Sequence, residues 1–276
     1  MTKWQNMKVH FHVNTLSERA VAAKDALFGE ARRCGFSVCD AGEGCDFVIA
    51  LGGDGTLLRA VRHHPDIPVL GLNLGSLGYL ATVAEDDFAR ALHLLADGDF
   101  RVAQRTMLCA TKPSTSESAI ALNEIVVMRE MTGHAASIDL AAGERSVTRY
   151  TADGLVIATP TGSTAYSLAA GGPVLMPDTA SLVVTPMNPH ALGVRPLVVS
   201  DDVVLSATSR RRVNGVAERL GVYADGEGVF MLGGDETVCV SKAAQKAHFI
   251  ELPGYDPYAV LSRKLGWSGS PALKPL

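Results

Sequence analysis

Asp46-Phe-Val-Ile-Ala-Leu-Gly-Gly-Asp-Gly-Thr56 is the stretch on which the fold turns. A short run of consecutive apolar residues that ends in glycines is the pattern of a strand buried on both faces of a parallel sheet. Leu57 to His63 reads as a helix, so the glycines stand at a strand-to-helix junction. Glycines at 52, 53 and 55 omit the Cβ atoms that would block a phosphate, and backbone N–H groups at a helix start can cradle its oxygens. Gly52, Gly53, Gly55 and Thr56 are therefore candidate phosphate binders. The loop is neither a P-loop, because no Gly-Lys-Ser/Thr follows, nor the G-x-G-x-x-G dinucleotide fingerprint. Asp54 in its middle is unfavourable beside phosphates unless it accepts a proton or orients a metal, which marks it as a functional acid. The bland alternative is a helix cap.

Outward from that loop, Met7 to Val13 alternates as a strand, Asn14 to Ser17 offers caps for a helix running to about Cys34, and Pro68 to Asn73 is a second buried strand. Glu85 to Ala96 is an amphipathic helix closed by Asp97-Gly98. Such alternation predicts a doubly wound, Rossmann-like α/β domain with a parallel sheet over residues 1–103, joined by the tail from about 245 to 276. Between residues 104 and 244 short β-rich runs replace helices: Thr106 to Ala110, Ala119 to Met128, Ala136 to Leu140, Leu155 to Thr159, Ser181 to Thr185, Asp202 to Ala207, Val229 to Leu232 and Thr237 to Ser241. With only Ser163 to Ala170 reading as helix, this part is expected to be a mainly antiparallel β domain.

Three further stretches carry polar chemistry. Gly71-Leu-Asn-Leu-Gly-Ser-Leu-Gly-Tyr79 follows a strand, where ligands gather in open α/β sheets, and Tyr79 offers a ring to stack on a base or to fill a core. Asn123-Glu124 places an amide beside a carboxylate at the start of a β run, able to fix a ribose diol or a carboxamide. Thr159-Pro-Thr-Gly-Ser-Thr-Ala-Tyr-Ser-Leu-Ala-Ala-Gly-Gly-Pro173 packs hydroxyls and glycines around one tyrosine, a density that exceeds what a turn requires.

The composition limits the alternatives. A chain of 276 residues, 47% hydrophobic and 20% charged with a net charge of −4, has no basic excess to drive nucleic-acid or membrane binding. Arg210 to Arg212 is the one dense basic run and reads as a solvated turn. Cys34, Cys39, Cys45, Cys109 and Cys239 are odd in number and lack C-x-x-C spacing, so a reduced, cytoplasmic protein without structural zinc is expected. No apolar run approaches the length of a membrane span.

Taken in order, these stretches resemble the NAD kinase family over nearly the whole chain. Gly52-Gly-Asp-Gly55 is similar to its G-G-D-G motif, Asn123-Glu124 to its N-E/D motif, and Asp153-Gly154 through Thr159-Pro-Thr-Gly-Ser-Thr-Ala-Tyr-Ser167 to Gly171-Gly-Pro173 to its long glycine-rich motif. Gly71 to Tyr79, Pro189-His190, Arg195-Pro-Leu-Val-Val199 and Arg263-Lys-Leu-Gly-Trp267 match further family stretches. G-G-D-G-T alone is shared with lipid kinases; its combination with T-P-T-G-S-T-A-Y is specific.

The resemblance implies an enzyme that moves the γ-phosphate of ATP, or of polyphosphate, to the adenosine ribose of NAD, with Mg2+ arriving on ATP and no dedicated metal cage. Asp54 would be the general base. Gly55, Asn123, Glu124, Asp153, Thr164, Ala165, Tyr166 and Ser167 would contact NAD, and Arg59, one turn past the loop, would place positive charge near the phosphates. His134, Thr151, Asn188 and Glu227 fall at further dinucleotide positions by spacing alone. A homodimer or homotetramer is implied. Three positions depart from the family pattern: Ala169 replaces a common serine, Glu227 a common glutamine, and Ser76 a common basic residue. They leave open NAD against NADH and ATP against polyphosphate. The competing readings are a non-catalytic dinucleotide-binding regulator and a G-G-D-G-T lipid kinase.

Overall fold

The computed structural model describes residues 7–40, 44–75, 78–81, 83–130, 134–210, 212–213, 216–217 and 219–267. Ser76 and Arg211 lie outside them. The chain forms two compact units, residues 1–104 with 247–276, and residues 105–246.

The first unit contains β1 (Lys8–Val13), α1 (Glu18–Arg33), β2 (Ser37–Cys39), β3 (Phe47–Leu51), α2 (Asp54–His63), β4 (Val69–Asn73), β5 (Val83–Ala84) and α3 (Phe88–Asp97). Its strands run parallel in the order β2-β1-β3-β4, with β5 and Phe249 paired on the outer side of β4. Every residue of β3 and β4 is buried, which is why both read as unbroken apolar runs. Alternate residues Phe47, Ile49 and Leu51 pack with Leu70 and Leu72, Phe11, Leu27 and the Phe88-Leu92-Leu95 stripe of α3. Each such side chain contributes roughly 1.5–3 kcal/mol relative to exposure. The helix ends follow local rules: the Ser17 hydroxyl accepts the Ala20 N–H to start α1, and Gly98, at φ 73°, closes α3. Helix α2 begins at Asp54, a full turn earlier in space than the apolar periodicity alone suggests, because the glycines contribute nothing to that periodicity.

The second unit is antiparallel, as the sequence pattern predicts. Its strands are β6 (Arg101–Lys112), β7 (Glu117–Ala121), β8 (Glu124–Arg129), β9 (Ala136–Ala142), β10 (Arg145–Ala152), β11 (Gly154–Ala158), β12 (Ser181–Met187), β13 (Leu197–Ser200), β14 (Leu205–Ser209), β15 (Arg212–Val213), β16 (Val216–Ala217), β17 (Leu220–Ala224), β18 (Glu227–Leu232) and β19 (Thr237–Glu251). Six of them form one sheet, β13-β12-β11-β8-β17-β18. Its inner residues Ile125, Val127, Leu155, Ile157, Leu182 and Val184 share a core with Leu108, Ile138, Leu140, Leu205, Val238 and Val240 of the strands opposite. The other face of the same sheet, Val126, Val156, Ala158 and Val183, packs against Ala170 and Leu175. The central strand β11 is therefore buried on both faces, and the hydroxyl-rich segment after it is part of its cover.

Two sequence expectations resolve differently. The single run Ala119 to Met128 is two strands, because the Leu122, Asn123 and Glu124 N–H groups turn away to the Asp225 carboxylate. The helix expected over Ser163 to Ala170 is a 3-10 turn, Gly162–Thr164, followed by the short α4 (Tyr166–Ala169), broken at Ala165 with ψ −126°. Strand β10 escapes the apolar pattern because its outward residues, Arg145 to Arg149, are exposed. The tail folds as α5 (Pro257–Leu265), started by the Asp256 carboxylate on the Tyr258 N–H and closed by Gly266. Among the described residues no helix is long and apolar enough to cross a membrane.

Candidate active site

In the first unit the glycine loop joins β3 to α2. The helix is capped by Gly53, whose carbonyl accepts the Thr56 and Leu57 N–H groups, with no side-chain cap. Asp54 is therefore free of the capping role that would have explained it away. Its carboxylate reaches instead to the second loop: Oδ2 accepts the Tyr79 N–H at 2.8 Å, and Oδ1 accepts those of Leu80 at 3.0 Å and Ala81 at 2.9 Å. Three backbone donors converging on one carboxylate fix its orientation. Close approach is possible only because residue 78 is glycine; a Cβ there would collide with both carboxylate oxygens.

Around Asp54, Gly53, Gly55 and Arg59 are exposed, whereas Gly52 and Thr56 are buried. The Thr56 hydroxyl receives the Arg59 guanidinium at 3.4 Å, tethering the arginine one turn beyond the loop. Tyr79 is half-buried, and burial followed by the Asp54 charge raises its phenol above the usual tyrosine range. The Lys264 ammonium stands 5.7 Å from its ring centroid, so one face of the ring already meets a cation.

In the second unit the Asp225 carboxylate, in a residue at φ 48°, accepts from Leu122, Asn123 and Glu124 at 2.8, 2.8 and 3.2 Å. This fixes the Asn123-Glu124 pair from behind. From the front, Thr159 donates its hydroxyl to the Leu122 carbonyl and its N–H to that of Asn123, while Gly162 lies against the Asn123 backbone. The Asn123 Oδ1 and Glu124 Oε2 atoms are buried with no protein partner. Leaving a buried acceptor unmatched costs on the order of 1–3 kcal/mol, so two side by side mark a place where hydroxyl or amide donors of a ligand are expected.

Glu124 is pushed up to about 7 by burial and then by the Asp225 charge, against a hydrogen bond from the Tyr166 backbone. Because the folded value lies above the unfolded 4.5, the folded state holds the proton more tightly, and its stability falls as pH rises from about 4.5 to about 7. Glu124→Gln is expected to remove this slope and to gain on the order of 2–3 kcal/mol over the parent at pH 8. Urea unfolding at pH 5 and pH 8 checks it; equal slopes in both proteins would refute the assignment.

The remaining residues fall into two groups. Thr164, Ala165 and the exposed Tyr166 sit at the Asn123-Glu124 end of β11, with Ala169 exposed at the end of α4. Ser167 is fully buried and its hydroxyl pairs with Thr185 at 2.8 Å, so its side chain belongs to the scaffold. At the opposite end of β11, Asp153 binds Arg129 at 2.7 Å and receives the Asn188 amide at 2.9 Å. Arg129 also donates to the His134 carbonyl, and the Thr151 carbonyl accepts the His190 N–H. Five strand residues separate the groups, roughly 17 Å at strand spacing. Glu227 is exposed at the start of β18, directly after the Asp225-Gly226 turn. The sequence reading missed Asp225, Arg129 and Thr185 as positioning residues and quoted Thr159 only as the start of the hydroxyl-rich stretch; an Asp-Gly turn was the available signal for Asp225.

Fold and site together define a protein that joins a parallel α/β unit, carrying a glycine loop with a clamped carboxylate, to an antiparallel β unit carrying paired, unsatisfied acceptors. Residues 5–100 match the family model for the ATP-NAD kinase N-terminal domain, and residues 122–252 that for the ATP-NAD kinase C-terminal domain. The chain is 40% identical over 230 residues to the NAD kinase of Gemmatimonas aurantiaca, covering 81% of this chain and 78% of that one. It is 40% identical over 225 residues to the NAD kinase of Symbiobacterium thermophilum, covering 80% and 78%. Its fold is shared with yeast NADH kinase complexed with NADH, at TM-score 0.84, 22% identity and coverage of 99% and 91%. It is also shared with an NAD kinase from Archaeoglobus fulgidus in complex with ATP, at TM-score 0.77, 24% identity and coverage of 95% and 99%. The chain belongs to the NAD kinase family.

Proposed function

We propose that this protein transfers the γ-phosphate of ATP to the 2'-hydroxyl of the adenosine ribose of NAD, giving NADP. The observation that carries the reading is the Asp54 carboxylate, set between exposed glycines at a helix start and oriented by three backbone donors. Oδ1 takes two of those donors and Oδ2 one, so Oδ2 retains an open lone pair, and it is the oxygen that would accept the hydroxyl proton. Removing that proton as the oxygen attacks phosphorus is general base catalysis.

The other residues bind and orient. The exposed amides of Gly53 and Gly55, with Arg59 beyond them, suit phosphate oxygens; Gly52 and Thr56 hold the loop in shape. The unsatisfied Asn123 Oδ1 and Glu124 Oε2 suit the donors of a ribose diol, with Thr164, Ala165 and Tyr166 alongside. Magnesium would arrive with ATP and would supply charge neutralisation to the phosphates, with no dedicated protein cage. Asp153, Asn188, His134 and Thr151 form the second polar group for the dinucleotide. A homodimer or homotetramer is part of this proposal. Ala169 and Glu227 face solvent near the first group, where they would tune acceptor preference.

Incubating the purified protein with NAD or NADH, and with Mg-ATP or polyphosphate, tests the reading and fixes both preferences. NADP or NADPH is expected with at least one donor; dinucleotide binding without product from any combination would convert the assignment to a regulator.

A further inference from the structure

His10 and His12 project from the same side of β1, two residues apart, and His63 and His64 end α2, which packs over that strand. The His10 and His64 rings are 5.0 Å apart between centroids, His12 and His64 5.9 Å, and His12 and His63 5.3 Å. One ring nitrogen from each of His10, His12 and His64 lies within 4.8 Å of the others, and all three residues are half-buried. None of this is used by the proposed reaction: Asp54 opens α2 and His64 follows its last residue, about 15 Å away along the helix axis.

The tautomer of His10 is fixed. Its Nδ1 lies 3.2 Å from the Cys39 carbonyl, which can only accept, so Nδ1 carries a proton and Nε2 is the nitrogen left for a metal. An imidazole held through one nitrogen by a backbone carbonyl, leaving the other to coordinate, is the arrangement by which proteins orient metal-binding histidines. From this geometry we propose that His10, His12 and His64 bind a divalent transition-metal ion of the zinc class. Two nitrogens on one tetrahedral zinc lie roughly 3.4 Å apart, so ring rotations closing the cluster by about 1 Å complete the site, with water or His63 as fourth ligand.

The electrostatics agree with this choice of metal. Burial first, and then His63, His64, His10 and Arg59, lower His12 to about 4; burial, His10 and His63 lower His64. The set has no carboxylate, which disfavours hard ions such as magnesium and calcium and leaves imidazole-preferring ions as occupants.

The test is zinc titration of the full chain by calorimetry, with the visible spectrum of the cobalt-substituted protein reporting ligand type. One equivalent is expected to bind with micromolar or tighter affinity, to give a nitrogen-ligand spectrum, and to raise Tm by several degrees. His12→Gln and His64→Gln are each expected to weaken binding by about 100-fold or more, as loss of one of three ligands should. His93→Gln, and Cys39→Ser with Cys45→Ser, are expected to leave it unchanged. His64 caps a helix end and its variant tolerates the change if the His12 variant does not fold. Absence of stoichiometric binding, binding unchanged in a folded His64→Gln protein, or binding lost in the cysteine double variant would each overturn the proposal.

Discussion

Asp54→Asn is expected to lower turnover by roughly 10²-fold or more while NAD still binds. The amide cannot take up the hydroxyl proton, and whichever of its atoms replaces Oδ2 removes the one carboxylate oxygen with a lone pair to spare. The side chain keeps its size and does not crowd Gly78, but its NH2 group leaves at least one of the three backbone N–H donors without an acceptor, so circular dichroism and Tm are measured alongside to show that the variant is folded. The split between turnover and binding is the informative readout: kcat from product formation, and Kd for NAD from fluorescence or calorimetry. Turnover within a few-fold of the parent would remove Asp54 from the chemistry. Equal loss of turnover and binding would make it a loop-holding residue whose three backbone partners are its whole purpose.

Gly162→Ala carries the largest expected effect on stability. The added Cβ would stand 2.6 Å from the Asn123 Cα and closer still to its carbonyl group. That backbone has nowhere to go, since its N–H is held by Asp225 and its carbonyl by the Thr159 N–H. A rigid clash of this kind costs about 3 kcal/mol or more, a fall in Tm of roughly 6–12 °C for a unit of this size. Gly193→Ala, with nothing within 4 Å of its Cβ position, is the matched control and should stay within about 0.5 kcal/mol. Indistinguishable melting of the two variants would show that the Thr159–Gly162 turn yields more easily than its packing indicates.

The contrast between these positions explains what the sequence disclosed. The parallel sheet was legible because β3 and β4 are buried on both faces and leave unbroken apolar runs. The Gly52 to Thr56 loop was legible because three glycines at a strand-to-helix junction serve few other ends. Asp54 stood out because a carboxylate there conflicts with its surroundings. Its actual clamp was not legible: the three donors are backbone N–H groups twenty-five to twenty-seven residues away, and backbone groups leave no trace in side-chain identity. For the same reason the break between β7 and β8 was hidden, since Asp225, a hundred residues on, supplies it. Strand β10, polar on its outer face, gave no alternation strong enough to read. The histidine cluster was invisible for a related reason, as His10 and His12 meet His64 only through the packing of α2 on β1.

The central claim is that the terminal phosphate of ATP reaches the adenosine ribose of NAD, and transfer of label tests it most directly. ATP carrying a labelled γ-phosphate, magnesium and NAD are incubated with the protein, and the dinucleotide is isolated and its phosphate position determined. The account predicts label on the 2'-oxygen of the adenosine ribose, in step with ADP release, and its loss with Asp54→Asn. Label released only as inorganic phosphate, or found on any other acceptor while NAD remains unmodified, would contradict it.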